Sequence, residues 1–431
     1  MTTRSNPTRL LTALCVGAFI LGCQSCSGPR LKEPGGTAED AKLALTNPDE
    51  YAWHLFFFLN HQAKSGIAGR PDETKMFGQL DPEAPVVWET WGLASGGDQS
   101  EVFRPDGSRP VAWEHMDRTH RRLILDKNLE REMIDSILEA SETLKLQKVQ
   151  AERRGKAGVR NNEQRIFPPE GNTQEARMNR STFDSIVDKF RMYNADGLED
   201  LWNKANQNGD RSLISLPAFS KEVKAEWMPI EESDKPRYLW RTDEKKQVWG
   251  LVSLHIITKD LPNWFWADFG HIDCEGGVGA CASIKPPIDP PVDHTTRGPN
   301  GTGPGAGPEG RSGVRREAVG TVWANYILRG TQTDFIKSTG RPTTLFNPLL
   351  EGSTIRSSCI SCHALAAVGQ PKSGEIPKDH RLQPDPPFQM PTGAPKPVQF
   401  GDEESCTASS CVRYLQTDFM WVPIIEAKRK K

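Results

Sequence analysis

The sequence predicts an α+β chain: an antiparallel sheet or small sandwich with flanking helices, closed by a small C-terminal packet. Three observations carry this. From about residue 223 the apolar period changes from that of a helix to that of a strand, with Val223, Ala225 and Trp227 alternating with Lys224 and Glu226. Further strand-like stretches then follow at short spacing with no helical pattern between neighbours, which favours antiparallel pairing. Residues 342–431 are rich in Pro and leave little room for long helices.

Taken in order, the first element is a targeting signal. Arg4 and Arg9 precede a short apolar run from Leu10 to Leu21, too short to span a bilayer comfortably. Ile20-Leu21-Gly22-Cys23 resembles a lipobox, so residues 1–22 read as a lipoprotein signal peptide with Cys23 as the acylated residue. A plain secretory signal is the alternative. Gln24 rather than Asp follows the Cys, which points to the outer membrane in a Gram-negative cell. Gly, Pro and charge make residues 23–46 a tether. Residues 47–341 then form an α+β domain of no evident role.

That domain opens on an entry helix from Pro48, dense with Trp53, Leu55, Phe56, Phe57, Phe58 and Leu59, and ended by Asn60 and His61. Short strands or turns are expected over Val86 to Leu93 and at Glu101 to Phe103. Asp126 caps a helix carrying Leu129, Met133 and Ile137, and Ser181 caps another carrying Phe183, Ile186, Val187 and Phe190. Five strands are expected: around 223–227, at Tyr238 to Arg241, at Val248 to Ile257, at Asn263 to His271 and at Val319 to Leu328. The near-continuous apolar third strand should be central. Residues 283–313, mostly Pro and Gly, read as a loop.

The most specific signal is Cys359-Ile360-Ser361-Cys362-His363. This is the spacing by which one c-type haem is attached covalently, each thiol adding to a vinyl group and the adjacent imidazole binding iron. Residues three apart share a helix face, so both sulfurs and the ring nitrogen reach one macrocycle. A redox dithiol or half of a zinc site would use a bare Cys-x-x-Cys, but no second such pair completes a zinc site and no βαβ pattern surrounds this one. Ala364 to Val368 is apolar and should continue as a short helix on the haem face. Residues 342–431 are therefore the expected haem c-binding region.

The cysteine count fits an exported protein. Of nine Cys, Cys274 with Cys281 and Cys406 with Cys411 are close pairs that an oxidising periplasm would bridge, with buried thiols as the alternative. A formal net charge of -2 over 431 residues gives no reason to expect nucleic acid as a partner. The expected partners are a bilayer, through Cys23, and a redox protein.

The haem motif resembles that of the monohaem c-type cytochromes. Wider stretches resemble large bacterial lipoproteins of the cytochrome c family: Arg177-Met178-Asn179-Arg180, Glu222 through Trp227, Trp264-Phe265-Trp266-Ala267, Tyr326 through Phe335, and Leu415 through Phe419. The resemblance implies a cytochrome c-like C-terminal packet, covalent haem, export and redox activity. It implies no substrate.

His363 is the expected proximal ligand. Met390, in a Met-Pro loop, and Met420 are candidates for the sixth position, with His380 a third. A thioether there would raise the potential and favour one-electron transfer. An open iron would instead allow peroxidase-like chemistry, which needs a distal base and a cation; His255, His271, Arg315, Arg316 and Arg329 are the residues of the right type. A third reading makes the twelve Trp a ligand-binding surface coupled to the haem. Asn206 through Ser212 resembles a calcium loop, but Arg211 stands where Gly is needed and Pro217 where an acid is needed, so it reads as a polar turn. Glu89, Glu101 and Glu114 lie near Trp88, Trp91 and Trp113 as a candidate cleft.

Overall fold

Alternation over β3 (Lys221–Pro229) and the unbroken apolar run of β5 (Val248–Thr258) place these two strands side by side at the centre of one sheet. The computed structural model describes residues 32–82, 84–96, 99–116, 173–210, 212–276, 281, 316–345, 347, 349, 358–369, 392–395 and 414–430. Around β3 and β5 stand β1 (Gly92–Leu93), β2 (Thr173–Met178), β4 (Trp240–Thr242), β6 (Phe265–His271) and β7 (Tyr326–Gln332). All seven pair antiparallel, six of them in the order β1-β2-β3-β5-β6-β7 with β4 beside β5. β5 is long enough to take β6 along one part of its edge and β4 along another. The architecture of the described residues is therefore α+β, built on a seven-stranded sheet. Among the described residues no helix is long and apolar enough to cross a membrane.

One sheet face is covered by α2 (Pro48–Leu59), which Pro48 starts and Asn60 ends. Its rings pack on β6: Phe56 lies 4.3 Å from Phe269, Trp53 5.1 Å from Phe269, and Tyr51 4.9 Å from Phe265. Offset and edge-on ring pairs of this kind add to the gain from burial. The opposite face is covered by the C-terminal segment. That segment contributes α6 (Cys359–His363), the ribbon β8 (Ala367–Gly369) with β9 (Tyr414–Gln416), and α7 (Val422–Glu426).

Several elements depart from the sequence expectation. Residues 38–46 of the expected tether are helix α1 (Ala38–Thr46), because Thr37 caps it by accepting from the Asp40 amide. The helix expected from Ser181 is capped two residues earlier by Asn179, which accepts from the Thr182 amide; it runs as α3 (Arg180–Asp184) and then widens into a π-turn over Ser185–Lys189. Asp184 pairs with Arg180 rather than completing a capping box with Ser181. Residues 206–208 end α4 (Ala195–Asn208), capped by Asn194, with Gly209 in the left-handed conformation that stops a helix. The fifth strand starts at Tyr326 rather than Val319, since Val322–Asn325 is a 3-10 turn. Ala364 to Val368 does not continue as helix: residues 367–369 turn into β8 to pair with β9. The helix expected from Asp126 and the 283–313 loop lie outside the described residues. Cys274, in α5 (Ile272–Gly276), is joined to Cys281 by a disulfide with Cα atoms 4.8 Å apart.

Candidate haem-attachment site

Helix α6 is short and is fixed at both ends by the rest of the fold. At its start the Cys359 amide and thiol both reach the Leu345 carbonyl at 3.0 Å. Gln332, the last residue of β7, accepts from the Ile360 amide at 3.2 Å and donates to Ser358 Oγ at 3.0 Å and Thr343 Oγ1 at 3.1 Å. One side chain thus splices the motif onto the sheet. At the other end Trp421 Nε1 donates to the Cys362 carbonyl at 3.2 Å. Both motif cysteines are thiols and are buried, 2% and 6% exposed.

His363 follows the second cysteine directly. Its Nδ1 lies 2.9 Å from the Phe419 carbonyl. A carbonyl only accepts, so Nδ1 holds the proton and Nε2 keeps the lone pair. Burial pushes this imidazole down to about 3, with added positive potential from His255 and Lys224, so the ring is neutral at ordinary pH. A neutral ring whose Nδ1–H is anchored to a backbone oxygen is the state in which histidine binds metal.

The carbonyl is aimed by a strained turn. Asp418 and Phe419 both adopt positive φ, 52° and 70°, which non-glycine residues avoid. The Asp418 carboxylate holds that turn, accepting from the Leu216 amide at 2.7 Å, from Trp264 Nε1 at 3.3 Å and from Lys259 Nζ. Trp264 itself has φ 60°. None of this was visible beforehand, because the group that matters is a backbone carbonyl and the strain is set by contacts far apart in sequence.

Beneath the motif lies the second face of the sheet. Register puts Glu222, Ile257, Trp266 and Gln332 in one cross-strand row, and Lys224, His255 and Asp268 in the next. The Trp266 ring is 4.7 Å from His363 and 6.0 Å from His255. Asp268 sits at a β-bulge and gathers three neighbours: Asn347 Nδ2 donates to its Oδ1 at 2.8 Å, Arg329 Nε lies 3.0 Å from its Oδ2, and His255 Nδ1 is 3.5 Å from its Oδ1. Glu222 is 9% exposed; its Oε1 has no hydrogen-bond partner among the described residues, and burial pushes the carboxyl up to about 8.

Of the other expected residues, Met420 follows directly on the Phe419 carbonyl. It is fully buried, its amide bonded to the Thr417 carbonyl and its own carbonyl to Thr417 Oγ1. His271 lies on the α2 face, stacked 3.8 Å from Tyr238 and 3.1 Å from the Arg237 carbonyl. His255 and Arg329 are brought together at Asp268. Met390, His380, Arg315, Cys23, Cys406 and Cys411 lie outside the described residues, as does the side chain of Arg316. Glu89 pairs with Arg241, Glu114 with Arg180, and Glu101 accepts from the Leu93 amide, so these acids serve the fold rather than a cleft. Eleven of the twelve Trp are buried and Trp240 is half-buried. Among the described residues no cluster of three or more His, Cys, Asp or Glu is placed to hold a metal ion.

The residues present fit a covalent haem: two buried thiols and a tautomerically fixed imidazole on one helical turn. Comparison with protein-family models, curated proteins and solved structures finds no match to this chain.

Proposed function

We propose that the chain is a monohaem c-type cytochrome that carries single electrons. One haem c would be held by thioethers from Cys359 and Cys362, with His363 Nε2 on the iron, and residues 342–431 would form its packet against the sheet. The observation that carries this reading is the bond from His363 Nδ1 to the Phe419 carbonyl, which presents Nε2 as a ligand. When bound, the haem supplies a one-electron couple. The Trp266 ring packs against the imidazole and the Phe419 carbonyl fixes it. Export, lipid anchoring at Cys23 on a periplasm-facing membrane, and a redox protein as partner belong to the same proposal.

A second reading is an oxidoreductase or peroxidase with an open iron. It is favoured by one feature, the buried His255–Asp268–Arg329 group on the sheet face under the motif.

The test is the exported, purified protein. Covalent haem that survives denaturation, lost when Cys359→Ala and Cys362→Ala are combined, is the expected result. Haem retained covalently by the double variant, or absent from the native protein, would refute the attachment. Failure of the ferrous protein to bind carbon monoxide separates the carrier from the open-site enzyme.

A further inference from the structure

The sheet face under the motif holds a second imidazole that the proximal site does not use. We propose that His255 is the other axial ligand of the iron, opposite His363, so that the upstream sheet supplies the distal side of the redox centre. This rests on the reading of Cys359, Cys362 and His363 as a haem site.

His255 lies in the middle of β5, between Lys224 on β3 and Asp268 on β6, on the face that the C-terminal segment covers. It is 7% exposed, and its Nδ1 makes no full hydrogen bond among the described residues. A buried imidazole left in this state is costly unless another interaction compensates. The nearest acceptor to Nδ1 is Asp268 Oδ1 at 3.5 Å.

Asp268 is itself immobilised by Asn347 and Arg329. A fixed carboxylate beside Nδ1 draws the ring proton to that nitrogen and leaves the lone pair on Nε2. His363 has the same construction, with a carbonyl where His255 has a carboxylate. Both rings neighbour the single indole of Trp266. Two imidazoles, one bonded through Nδ1 to a carbonyl and one with Nδ1 facing a carboxylate, therefore neighbour one indole on one sheet face.

Of the described alternatives, His271 is on the opposite face of the sheet, and Met420 is fully buried in the turn that follows Phe419. Ligation by His255 would also account for the size of the upstream region. A haem packet too small to close its own distal side would borrow a strand from the sheet on which it leans.

The experiment uses the full-length exported protein with His255→Ala, His255→Met and Asp268→Asn. Covalent haem after denaturation is scored first, and its absence from the native protein would defeat the attachment reading itself. Where haem is attached, the native ferric protein should be low-spin with two nitrogen axial ligands and no thioether–iron band, and the ferrous form should not take up carbon monoxide. His255→Ala should convert the ferric centre to high spin and make carbon monoxide binding stoichiometric. His255→Met should restore a low-spin centre with a thioether band and a higher midpoint potential. Asp268→Asn should raise the potential while keeping the centre low-spin, because it weakens the anchor on Nδ1. A native protein that is high-spin, binds carbon monoxide or shows a thioether band would overturn the proposal, as would a His255→Ala protein spectrally identical to the native one. If His255→Ala does not fold, the native spectrum and His255→Met still decide the matter.

Discussion

The face of the sheet under α2 and the face under the C-terminal segment are both buried, and they are built from opposite chemistry. Under α2 the contacts are ring on ring, from Trp53 and Phe56 to Phe269 and from Tyr51 to Phe265. Its charged residues are closely paired: Arg177 reaches Glu175 at 2.6 Å and the Trp91 carbonyl at 2.8 Å, while Trp227 Nε1 donates to Glu175 at 3.1 Å. Under the motif, by contrast, the rows hold Glu222, Lys224, His255 and Asp268, with contacts of up to 3.5 Å and a carboxyl lacking a partner at one oxygen among the described residues. Burying polar groups in this way costs stability that apolar residues would not. The chain thus sets its costly polar burial on the face where the proposed haem would lie and its aromatic packing on the other.

The largest effect expected from this division lies on the aromatic face. Phe56 is fully buried and packs against Phe269, Trp53 and Trp323 at 4.3, 5.4 and 5.5 Å. Phe56→Ala should cost about 3–5 kcal/mol in urea unfolding, the range for truncating a core aromatic. It should leave the spectrum of the attached haem unchanged, whereas His255→Ala should change that spectrum at a smaller cost in stability. A haem spectrum altered by Phe56→Ala would mean that the two faces do not act separately.

A smaller effect belongs to Glu222. Its folded value, about 8, lies above that of the unfolded chain, so between about 4.5 and 8 the native state holds a proton that the unfolded state has released. Stability from this group is fully present at low pH and is lost as pH rises towards 8, with a slope of up to ~1.4 kcal/mol per pH unit. Glu222→Gln should flatten this part of the stability–pH curve and make the protein more stable than the native form at pH 8. An unchanged slope would show that the carboxyl is paired.

How much of this was legible in the sequence follows the same division. β3, β5 and β6 announce themselves because their apolar residues recur with the period of a half- or fully buried strand. β2 does not: Thr-Gln-Glu-Ala-Arg-Met carries its charges inward, to a buried ion pair that only the fold supplies. α4 hides for a different reason. Its buried stripe of Leu198, Trp202 and Ala205 is narrow and is set among Asn and Asp residues of poor helix propensity. At the site the covalent motif is complete in five residues, so it can be read directly. What orients it cannot, because Phe419 acts through its backbone and His255 meets Asp268 only through the register of two strands.

The smallest effect is also the one that best joins structure to redox chemistry. Asp418 holds the positive-φ turn by accepting from the Leu216 amide, Trp264 Nε1 and Lys259 Nζ. Asp418→Asn keeps the shape, loses the charge and sets its amide group against donors, which should cost about 1–3 kcal/mol. A purely structural role would end there. If the turn exists to aim the Phe419 carbonyl, loosening it must also weaken the bond to His363 Nδ1 and lower the basicity of the ring. The midpoint potential of the attached haem should then rise, since a poorer nitrogen donor stabilises the ferric state less. Replacing Lys259 with Met removes only one donor of the same network and should move stability in the same direction with a smaller change in potential. A potential unmoved by Asp418→Asn, with stability lowered as expected, would separate the strained turn from the iron and leave it a feature of the fold alone.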